Sequence, residues 1–253
     1  MLRMKWREQN GVRWLEAELG GARAAFTTRI GGVSRGPYAS LNLGAGGGDA
    51  TDAVCDNRVR LAAALELGAE RILLGAQVHG AEIGDSERPK AGGYTDPSAD
   101  LPQLDGQVVR GAGMAGLVLV ADCLPVILAG PEGVAVLHCG WRGLAAGIVE
   151  RGADAVGATS AAVGPGIGPC CYEVGPEVGE LFSPLGADVW AEGMLDLPGV
   201  ADRLLGQAGV SSIERADMCT KCNPDVFFSH RRDKPHTGRQ AGVAWISEPA
   251  SVS

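Results

Sequence analysis

Histidine is scarce in this chain, with four among 253 residues. A trinuclear copper cluster together with a separate blue-copper site needs more imidazole ligands than four histidines supply. The sequence therefore argues against a complete multi-copper centre. The scarcity also makes the surroundings of each histidine informative.

Basic residues are outnumbered, with 22 Lys and Arg against 30 Asp and Glu. The formal net charge is -8 and the pI is about 5.0. Broad nucleic-acid binding needs basic surface to replace the counterions of the phosphates, so we expect no nucleic-acid partner. One local basic pocket is still compatible with this charge balance.

Long apolar runs are missing as well. No stretch approaches the roughly 20 apolar residues of a membrane-spanning helix, and residues 1–8 lack the apolar block of a signal peptide. We therefore expect a cytoplasmic protein without membrane contact. Its seven cysteines are an odd number, and a reducing compartment keeps most of them as thiols.

Hydrophobic residues, in contrast, make up 45% of the chain, which is enough for a substantial core without disulfides. Because we find no repeat and no low-complexity linker, we expect a single domain over 1–253. Unbroken apolar runs predict buried strands at 117–120, 125–129 and 134–137. Pro125 cannot donate to a strand ladder, so we expect a break or bulge there.

Helical periodicity predicts helices over 51–67 and 141–156. Asp49 or Thr51 is the expected N-cap of the first helix. Two shorter helices and a strand pair are predicted at Pro176–Phe182, 198–207 and 12–25. The stretch 82–103 is rich in glycine, proline and charge, which is typical of an exposed loop. Mixed strands and helices indicate an α/β or α+β class.

Two of the four histidines frame a cysteine, because His79, Cys123 and His138 each end or follow an apolar run. If those runs are strands, their ends can bring the three side chains to one rim. Two imidazoles and one thiolate suit zinc, and three protein ligands leave a fourth position for water or substrate. That is the arrangement of a catalytic site, so an enzyme is the leading hypothesis.

Other interpretations of the same residues stay open. The three donors with a weak axial methionine can form a blue-copper site. Cys123 can be the nucleophile of a cysteine hydrolase, with His79 or His138 as its base. A closed, non-catalytic zinc module would recruit Cys139 as a fourth ligand. Three buried residues in ordinary core contacts would need no metal at all.

Anion binding is suggested by two arginines in different settings. Arg29 lies in a glycine-rich stretch, 26–36, whose backbone amides can cradle an anion while the guanidinium grips phosphate oxygens. Arg142 lies at the start of a predicted helix, where anions are favoured. The plainer interpretations are a surface ion pair for Arg29, a core side chain for Trp141 and a turn-stabilising role for Asn42.

A lone CxxC motif, formed by Cys219 and Cys222, lacks two ligands for a structural zinc. His230 and His236 follow it, but at longer spacing than such sites usually have. A redox role is less well supported, since no βαβ pattern surrounds the motif.

Seven segments in order carry a resemblance that covers most of the chain. They are Thr-Arg-Ile-Gly-Gly-Val-Ser (28–34), Ser-Leu-Asn-Leu-Gly (40–44), Gln-Val-His-Gly (77–80), Ala-Asp-Cys-Leu-Pro-Val (121–126), His-Cys-Gly-Trp-Arg-Gly (138–143), Gly-Pro-Gly-Ile-Gly-Pro-Cys-Cys-Tyr-Glu-Val-Gly (164–175) and Ser-His-Arg-Arg-Asp (229–233). Together they resemble the laccase-domain family, also called the multicopper polyphenol oxidase domain. Some members of that family have been described as purine nucleoside phosphorylases.

The resemblance implies stacked mixed β-sheets flanked by helices, and zinc held by His79, Cys123 and His138. It implies phosphorolysis of adenosine, inosine or 5'-methylthioadenosine by inorganic phosphate. Separately, we expect a monomer or small homo-oligomer. Arg29, Asn42 and Arg142 are then expected to position phosphate and sugar.

Two further expectations follow from that implied chemistry. Glu173 would line the purine pocket as a hydrogen-bond acceptor. The same metal suggests adenosine deamination, for which Asp122 or Glu173 would have to shuttle the proton. The named alternatives are a copper-dependent polyphenol oxidase and the cysteine hydrolase.

One departure from the family pattern lies beside a ligand, where Cys139 stands in place of an expected alanine. A thiol there can compete for the metal or simply pack. The acidic loop 82–100 also looks peculiar to this protein and bears on substrate access.

Overall fold

A computed structural model describes residues 4–85 and 93–247, and strands and helices alternate along them. The strands are β1 Lys5–Gln9, β2 Val12–Leu19, β3 Ala22–Thr27, β4 Ile72–Leu73, β5 Ile83–Asp85, β6 Gly106–Val109, β7 Ala115–Val120, β8 Leu124–Gly130, β9 Gly133–Cys139, β10 Ser160–Val163, β11 Trp190–Ala191, β12 Met194–Leu195, β13 Ser212–Arg215 and β14 Gln240–Ile246. The helices are α1 Thr51–Ala64, α2 Trp141–Ala145, α3 Ile148–Val156, α4 Pro176–Phe182, α5 Leu197–Gln207 and α6 His230–Asp233.

The described strands form two six-stranded sheets and one two-stranded ribbon. The first sheet has the order β1-β2-β3-β14-β7-β4, and the second has the order β13-β10-β8-β9-β6-β5. Most neighbours are antiparallel, whereas the pairs β4–β7, β5–β6 and β10–β13 are parallel. Both sheets are therefore mixed, as expected.

The two sheets stack face to face, because one core cluster draws buried side chains from both. Phe26 and Val118 of the first sheet pack in it with Ile127, Val136 and Ala162 of the second. Each such aliphatic side chain contributes about 1.5–3 kcal/mol when fully buried. This apolar layer fixes the spacing of the two sheets and hence the placement of the loops that join them.

Helices cover the outer faces of the sheets. On strand β8, Leu124, Val126 and Leu128 face the helical side, while Ile127 and Ala129 face the other sheet. This alternation follows from the two-residue period of a strand. Helix α1 packs on the outside of the first sheet. The expected class of stacked mixed sheets flanked by helices is confirmed.

Two of the predicted helices differ from expectation in their details. Helix α1 ends at Ala64, and neither Asp49 nor Thr51 caps it through a side chain, because Ala50 is the N-cap residue. The predicted helix over 141–156 is two helices, since Gly147 interrupts it with a φ of 81°. A left-handed residue cannot continue a right-handed helix.

Three further predictions have clear outcomes. Pro125 does not break β8, because it is only the second residue of that strand and costs a single ladder position. Within the predicted loop 82–103 the short strand β5 forms, and the part at 86–92 lies outside the described residues. No helix in the described parts of the chain is long and apolar enough to cross a membrane.

Candidate metal centre and cavity

The three predicted ligands meet at one edge of the stacked sheets. His79 lies in the loop between β4 and β5, Cys123 lies in the turn where β7 of one sheet passes to β8 of the other, and His138 lies in β9. Their ligand atoms lie within 4.8 Å of one another. The two imidazole rings stand edge to face, with centroids 4.8 Å apart.

Two residues at this centre have a strained, left-handed backbone conformation. His79 has a φ of 62° and Asp122, directly before Cys123, has a φ of 95°. Such conformations cost non-glycine residues on the order of 1–3 kcal/mol each, and they persist only where surrounding contacts enforce them. Two hydrogen bonds to its carboxylate hold Asp122 in this conformation, one from the Thr220 hydroxyl at 2.6 Å and one from the Arg231 backbone N–H at 2.7 Å.

The conformation of the strained loop around His79 is held by Asp105, which is 0% exposed. Its carboxylate accepts hydrogen bonds from the backbone N–H groups of Val78, His79 and Gly80, at 3.1, 3.0 and 2.7 Å. The same carboxylate lies 2.7 Å from Nδ1 of His138. One buried acid therefore fixes the loop that carries one imidazole and the ring orientation of the other.

The Asp105–His138 contact directs the other ring nitrogen, Nε2, towards the shared centre. Metal-binding histidines usually donate their second N–H to a carboxylate or carbonyl, which fixes the tautomer and makes the ligand more basic. Asp105 has this position although it does not border the open site. Sequence reasoning missed it, and the only available signal was an acid directly before the buried strand β6.

Cys123 and His138 form a coupled ion pair. Burial raises the pKa of the Cys123 thiol, but the charge and hydrogen bond of His138, helped by His79, bring that pKa well below its ordinary value. Burial lowers the pKa of His138, but the charges of Cys123 and Asp105 raise it by more. The centre thus favours a thiolate, which is the form that binds metal.

Because Gly140 has no side chain, it leaves space for the side chains of Cys123 and His79. A Cβ at this position would stand 2.9 Å from Sγ of Cys123 and 3.4 Å from Cδ2 of His79. Contacts under 3.0 Å essentially never occur for real Cβ atoms, so a side chain here would displace the thiolate. The donor set, the pre-oriented imidazole and this cradle all fit a zinc ion with three protein ligands.

Cys139 is not part of this cluster. It neighbours His138 on β9, so its side chain points to the opposite face of the strand. It is fully buried in the apolar cluster under the helices. The interpretation of Cys139 as a fourth ligand of a closed site therefore has no geometric support, and the thiol packs as a small hydrophobe.

The candidate metal centre opens into a cavity of about 820 Å³. This size lies within the range of about 300–1,000 Å³ that is typical of small-molecule sites. Charged and aromatic side chains on its described wall are Arg58, Asp96, Asp100, Asp122, Trp141, Arg142, Tyr172, His230, Arg231 and Arg239. The wall thus combines cations and ring faces beside the metal ligands.

The cations are held in place by aromatic rings and backbone carbonyls. The Arg142 guanidinium lies 4.3 Å from the Trp141 ring centroid, and that of Arg231 lies 4.9 Å from the Tyr172 ring centroid. Burial lowers the pKa of His230, and the positive charges of Arg239 and Lys234 lower it further. This part of the wall is therefore electropositive, although the whole chain is acidic.

Arg142 is the one predicted phosphate ligand that borders this cavity. Arg29 lies elsewhere, with its guanidinium on the Phe228 ring and donating to the carbonyls of Ala39 and Pro224. Glu173 is also absent from the described wall, and its carbonyl accepts from Arg231 at 2.7 Å.

Asn42 supports the cavity without bordering it. It is 1% exposed, and its Oδ1 accepts a hydrogen bond of 2.8 Å from the backbone N–H of Arg239. Its Nδ2 donates to Asp49 at 2.9 Å. Asn42 therefore positions Arg239, a cavity residue that sequence reasoning missed. The glycine-rich and Ser-Leu-Asn segments were visible in the sequence, but their link to 239 is a tertiary contact.

The CxxC motif has different neighbours from those considered in the sequence. Cys219 and Cys222 lie with Cys170 and Cys171, all four thiols within 4.8 Å of one another. His230 lines the cavity instead, and His236 contacts the Tyr38 hydroxyl at 3.4 Å. The structure therefore does not form a zinc site from Cys219 and Cys222 with His230 and His236.

A family model described as multi-copper polyphenol oxidoreductase laccase matches residues 23–247. The chain is 40% identical over 239 residues to the purine nucleoside phosphorylase YfiH of Escherichia coli (strain K12), covering 89% of this chain and 94% of the relative. It is 37% identical over 257 residues to the purine nucleoside phosphorylase YlmD of Geobacillus stearothermophilus, covering 92% and 94%. The crystal structure of YlmD from that organism matches with a TM-score of 0.86 and 35% identity, over 96% of this chain and 98% of that chain.

Proposed function

Since the chain belongs to the multi-copper polyphenol oxidoreductase laccase family, we propose that it is a zinc-dependent purine nucleoside phosphorylase. Its relatives at about 40% identity are named purine nucleoside phosphorylases, which supports an enzyme of this kind. The proposed substrates are inorganic phosphate with adenosine, inosine or 5'-methylthioadenosine. The observation that carries the proposal is a three-ligand site opening into an electropositive, aromatic-lined cavity.

His79, Cys123 and His138 are the residues that would hold zinc. Bound zinc would supply a Lewis acid that polarises a substrate oxygen. The preference for zinc over copper rests on the donor set and on the four histidines of the chain, which are too few for a multi-copper centre.

The phosphate would bind to the cationic wall. Arg142 is exposed at the beginning of α2, and its guanidinium stacks on the Trp141 ring. Arg239 lies on the same wall and is fixed through its backbone by Asn42. Guanidinium groups bind phosphate oxygens in a bidentate manner. These two arginines therefore suit the anion better than Arg29, which is not on the described wall.

The nucleoside would occupy the remainder of the cavity, with its base against Trp141 or Tyr172. Aromatic faces bind planar bases by stacking, which contributes about 1–3 kcal/mol per base. In the reaction a phosphate oxygen attacks C1' of the ribose while the bond from C1' to the purine nitrogen breaks. The departing purine takes the electron pair and is protonated, which leaves free base and ribose 1-phosphate. The protein contributes mainly by holding anion and sugar in line.

Adenosine deamination is part of the same proposal only as a secondary activity. It needs a carboxylate that can shuttle a proton beside the metal. Asp122 lines the cavity, but its oxygens accept hydrogen bonds from Thr220 and Arg231. Glu173 does not line the described wall. The residues therefore favour phosphorolysis over deamination.

A cysteine hydrolase is the second candidate, and one observation favours it. The Cys123 thiolate paired with His138 has the character of an activated nucleophile. The two functions differ in their response to chelation. Hydrolysis by a thiolate survives removal of metal, whereas the zinc enzyme loses activity.

The direct test incubates the purified protein with inosine and inorganic phosphate and measures hypoxanthine and ribose 1-phosphate. Wild type should release both, and Cys123→Ser should release neither. Cys55→Ser is the matched control, because it removes a thiol that is neither a predicted metal ligand nor on the described wall of the cavity, and whose hydrogen bond goes to the Thr95 carbonyl. Release that is unchanged in Cys123→Ser would refute the proposal.

A further inference from the structure

Four cysteines lie close together in the two loops that follow the neighbouring strands β10 and β13. Strands β10 and β13 are parallel, with Ser160 beside Ser212 and Val163 beside Arg215. Because parallel strands end at the same edge, the loops that follow them are brought together. Cys170 and Cys171 follow β10, and the CxxC motif follows β13.

The sulfur positions suit one metal ion. Sγ of Cys222 lies 3.6 Å from that of Cys170 and 3.5 Å from that of Cys171, and all four sulfurs lie within 4.8 Å of one another. A tetrahedral zinc with Zn–S bonds of about 2.3 Å has S···S edges of about 3.8 Å. A disulfide would require about 2.05 Å. The observed separations are therefore those of a tetrathiolate site.

The backbone holds the two loops in this arrangement. The amide of Gly168 donates to Sγ of Cys219 at 3.4 Å, and the amide of Thr220 donates to the Gly166 carbonyl at 2.9 Å. The Asn223 side chain donates to the Cys219 carbonyl at 2.8 Å. Such bonds orient a sulfur ligand in the same way that outer partners orient ligands at known metal sites.

We propose that Cys170, Cys171, Cys219 and Cys222 bind a second, structural zinc ion. Four thiolates close the coordination shell, so this ion has no open position for substrate and differs in role from the ion at Cys123. The site is independent of the His79, Cys123 and His138 centre, since the two share no residue. It also does not depend on the proposed phosphorolysis.

The second ion would fasten a wall of the cavity. Tyr172, which lines the cavity, directly follows Cys171. Thr220 directly follows Cys219, and its hydroxyl donates to Asp122 beside Cys123. A zinc ion that joins the two loops would therefore stabilise the positions of Tyr172 and Thr220. We expect loss of this ion to lower the melting temperature.

Metal content tests the site directly. Zinc is measured by mass spectrometry on protein purified without added metal, for wild type, Cys222→Ser, Cys123→Ser and the control Cys55→Ser. We expect about two zinc ions per chain in wild type and in the control, and about one in each of the other variants. Equal zinc in wild type and Cys222→Ser would overturn the proposal.

A second measurement does not require the Cys222 variant to fold. The Cys123→Ser variant, which keeps all four thiols, is stripped of metal under reducing conditions and titrated with Co²⁺. A one-to-one complex with intense thiolate-to-cobalt charge-transfer absorption, displaced by zinc, is expected. Absence of that absorption would overturn the proposal, as would mass spectra showing a disulfide among the four cysteines of freshly isolated protein. Iron in place of zinc would overturn the choice of metal.

These readouts separate the two proposals. Loss of one zinc in Cys222→Ser supports the structural site whether or not the protein cleaves inosine. Loss of hypoxanthine release in Cys123→Ser supports the phosphorylase whether or not the second zinc exists.

Discussion

The Asp105 carboxylate lies 2.7 Å from Nδ1 of His138 and accepts three backbone N–H groups of the loop that carries His79. One buried acid thus positions two imidazoles that reach the centre from different parts of the chain.

Asp105→Asn should weaken zinc binding about 10- to 100-fold, which is the usual effect of losing an outer partner of a ligand histidine. The amide keeps the size of the side chain but removes the charge that holds the His138 ring. Zinc affinity is measured by competition with a chromogenic chelator. Asp85→Asn is the control, because Asp85 pairs with Arg110 on the surface. Unchanged affinity in Asp105→Asn would show that the carboxylate does not tune the site.

In metal-free protein, Cys123 should react with iodoacetamide at lower pH than an ordinary thiol. His138 and His79 lower the Cys123 pKa to about 6 against the effect of burial. The thiolate is therefore present above that lowered pKa, and its reactivity declines only as the pH falls through it. Alkylation is followed residue by residue by mass spectrometry between pH 5 and about 9.

The matched variant for this titration is His138→Gln, in which the cationic partner is absent. Its Cys123 should need higher pH for alkylation, because burial alone raises the pKa of a thiol. Identical pH profiles in the two proteins would contradict the assignment of an imidazolium–thiolate pair.

Gly140→Ala should reduce both zinc content and phosphorolysis without unfolding the protein. The added Cβ would meet Sγ of Cys123 at 2.9 Å, so the ligand must shift. Gly111→Ala is the control, since a Cβ there meets nothing within 4 Å. Zinc content and melting temperature are measured together. Full zinc occupancy in Gly140→Ala would show that the cradle tolerates a side chain.

Arg142→Ala should raise KM for phosphate about tenfold or more with a smaller change in KM for inosine. A hydrogen bond to a charged group contributes about 1.5–3 kcal/mol, which corresponds to at least a tenfold change in affinity. Arg60→Ala on the exposed face of α1 is the control. Equal changes in both KM values would place Arg142 outside the phosphate site.

Local sequence patterns predicted much of the architecture, because buried strands such as β7, β8 and β9 are unbroken apolar runs. They also predicted the cluster of His79, Cys123 and His138, since each residue lies at or beyond the end of such a run. These inferences needed only short-range patterns and the geometry of strand ends.

Residues that act through tertiary contacts were not predictable in this way. Asp105 works through backbone amides of a loop 25 to 27 positions away, and Arg239 is held by Asn42 at a separation of 197. The partners of the CxxC motif lie about 50 residues earlier, on a loop that only the parallel pairing of β10 and β13 brings near. The local spacing of residues in the sequence does not predict these long-range contacts. The single domain over 1–253, the cytoplasmic location and the monomeric or small oligomeric state stay predictions.

Metal replacement shows whether phosphorolysis by this protein requires zinc. Wild-type protein is stripped by a chelator, divided, and reconstituted with zinc or with copper, and hypoxanthine release from inosine and phosphate is measured in each sample. We expect hypoxanthine release to be lost when the metal is stripped, and to recover with zinc but not with copper. Release that persists without metal, or that returns only with copper, would contradict this expectation.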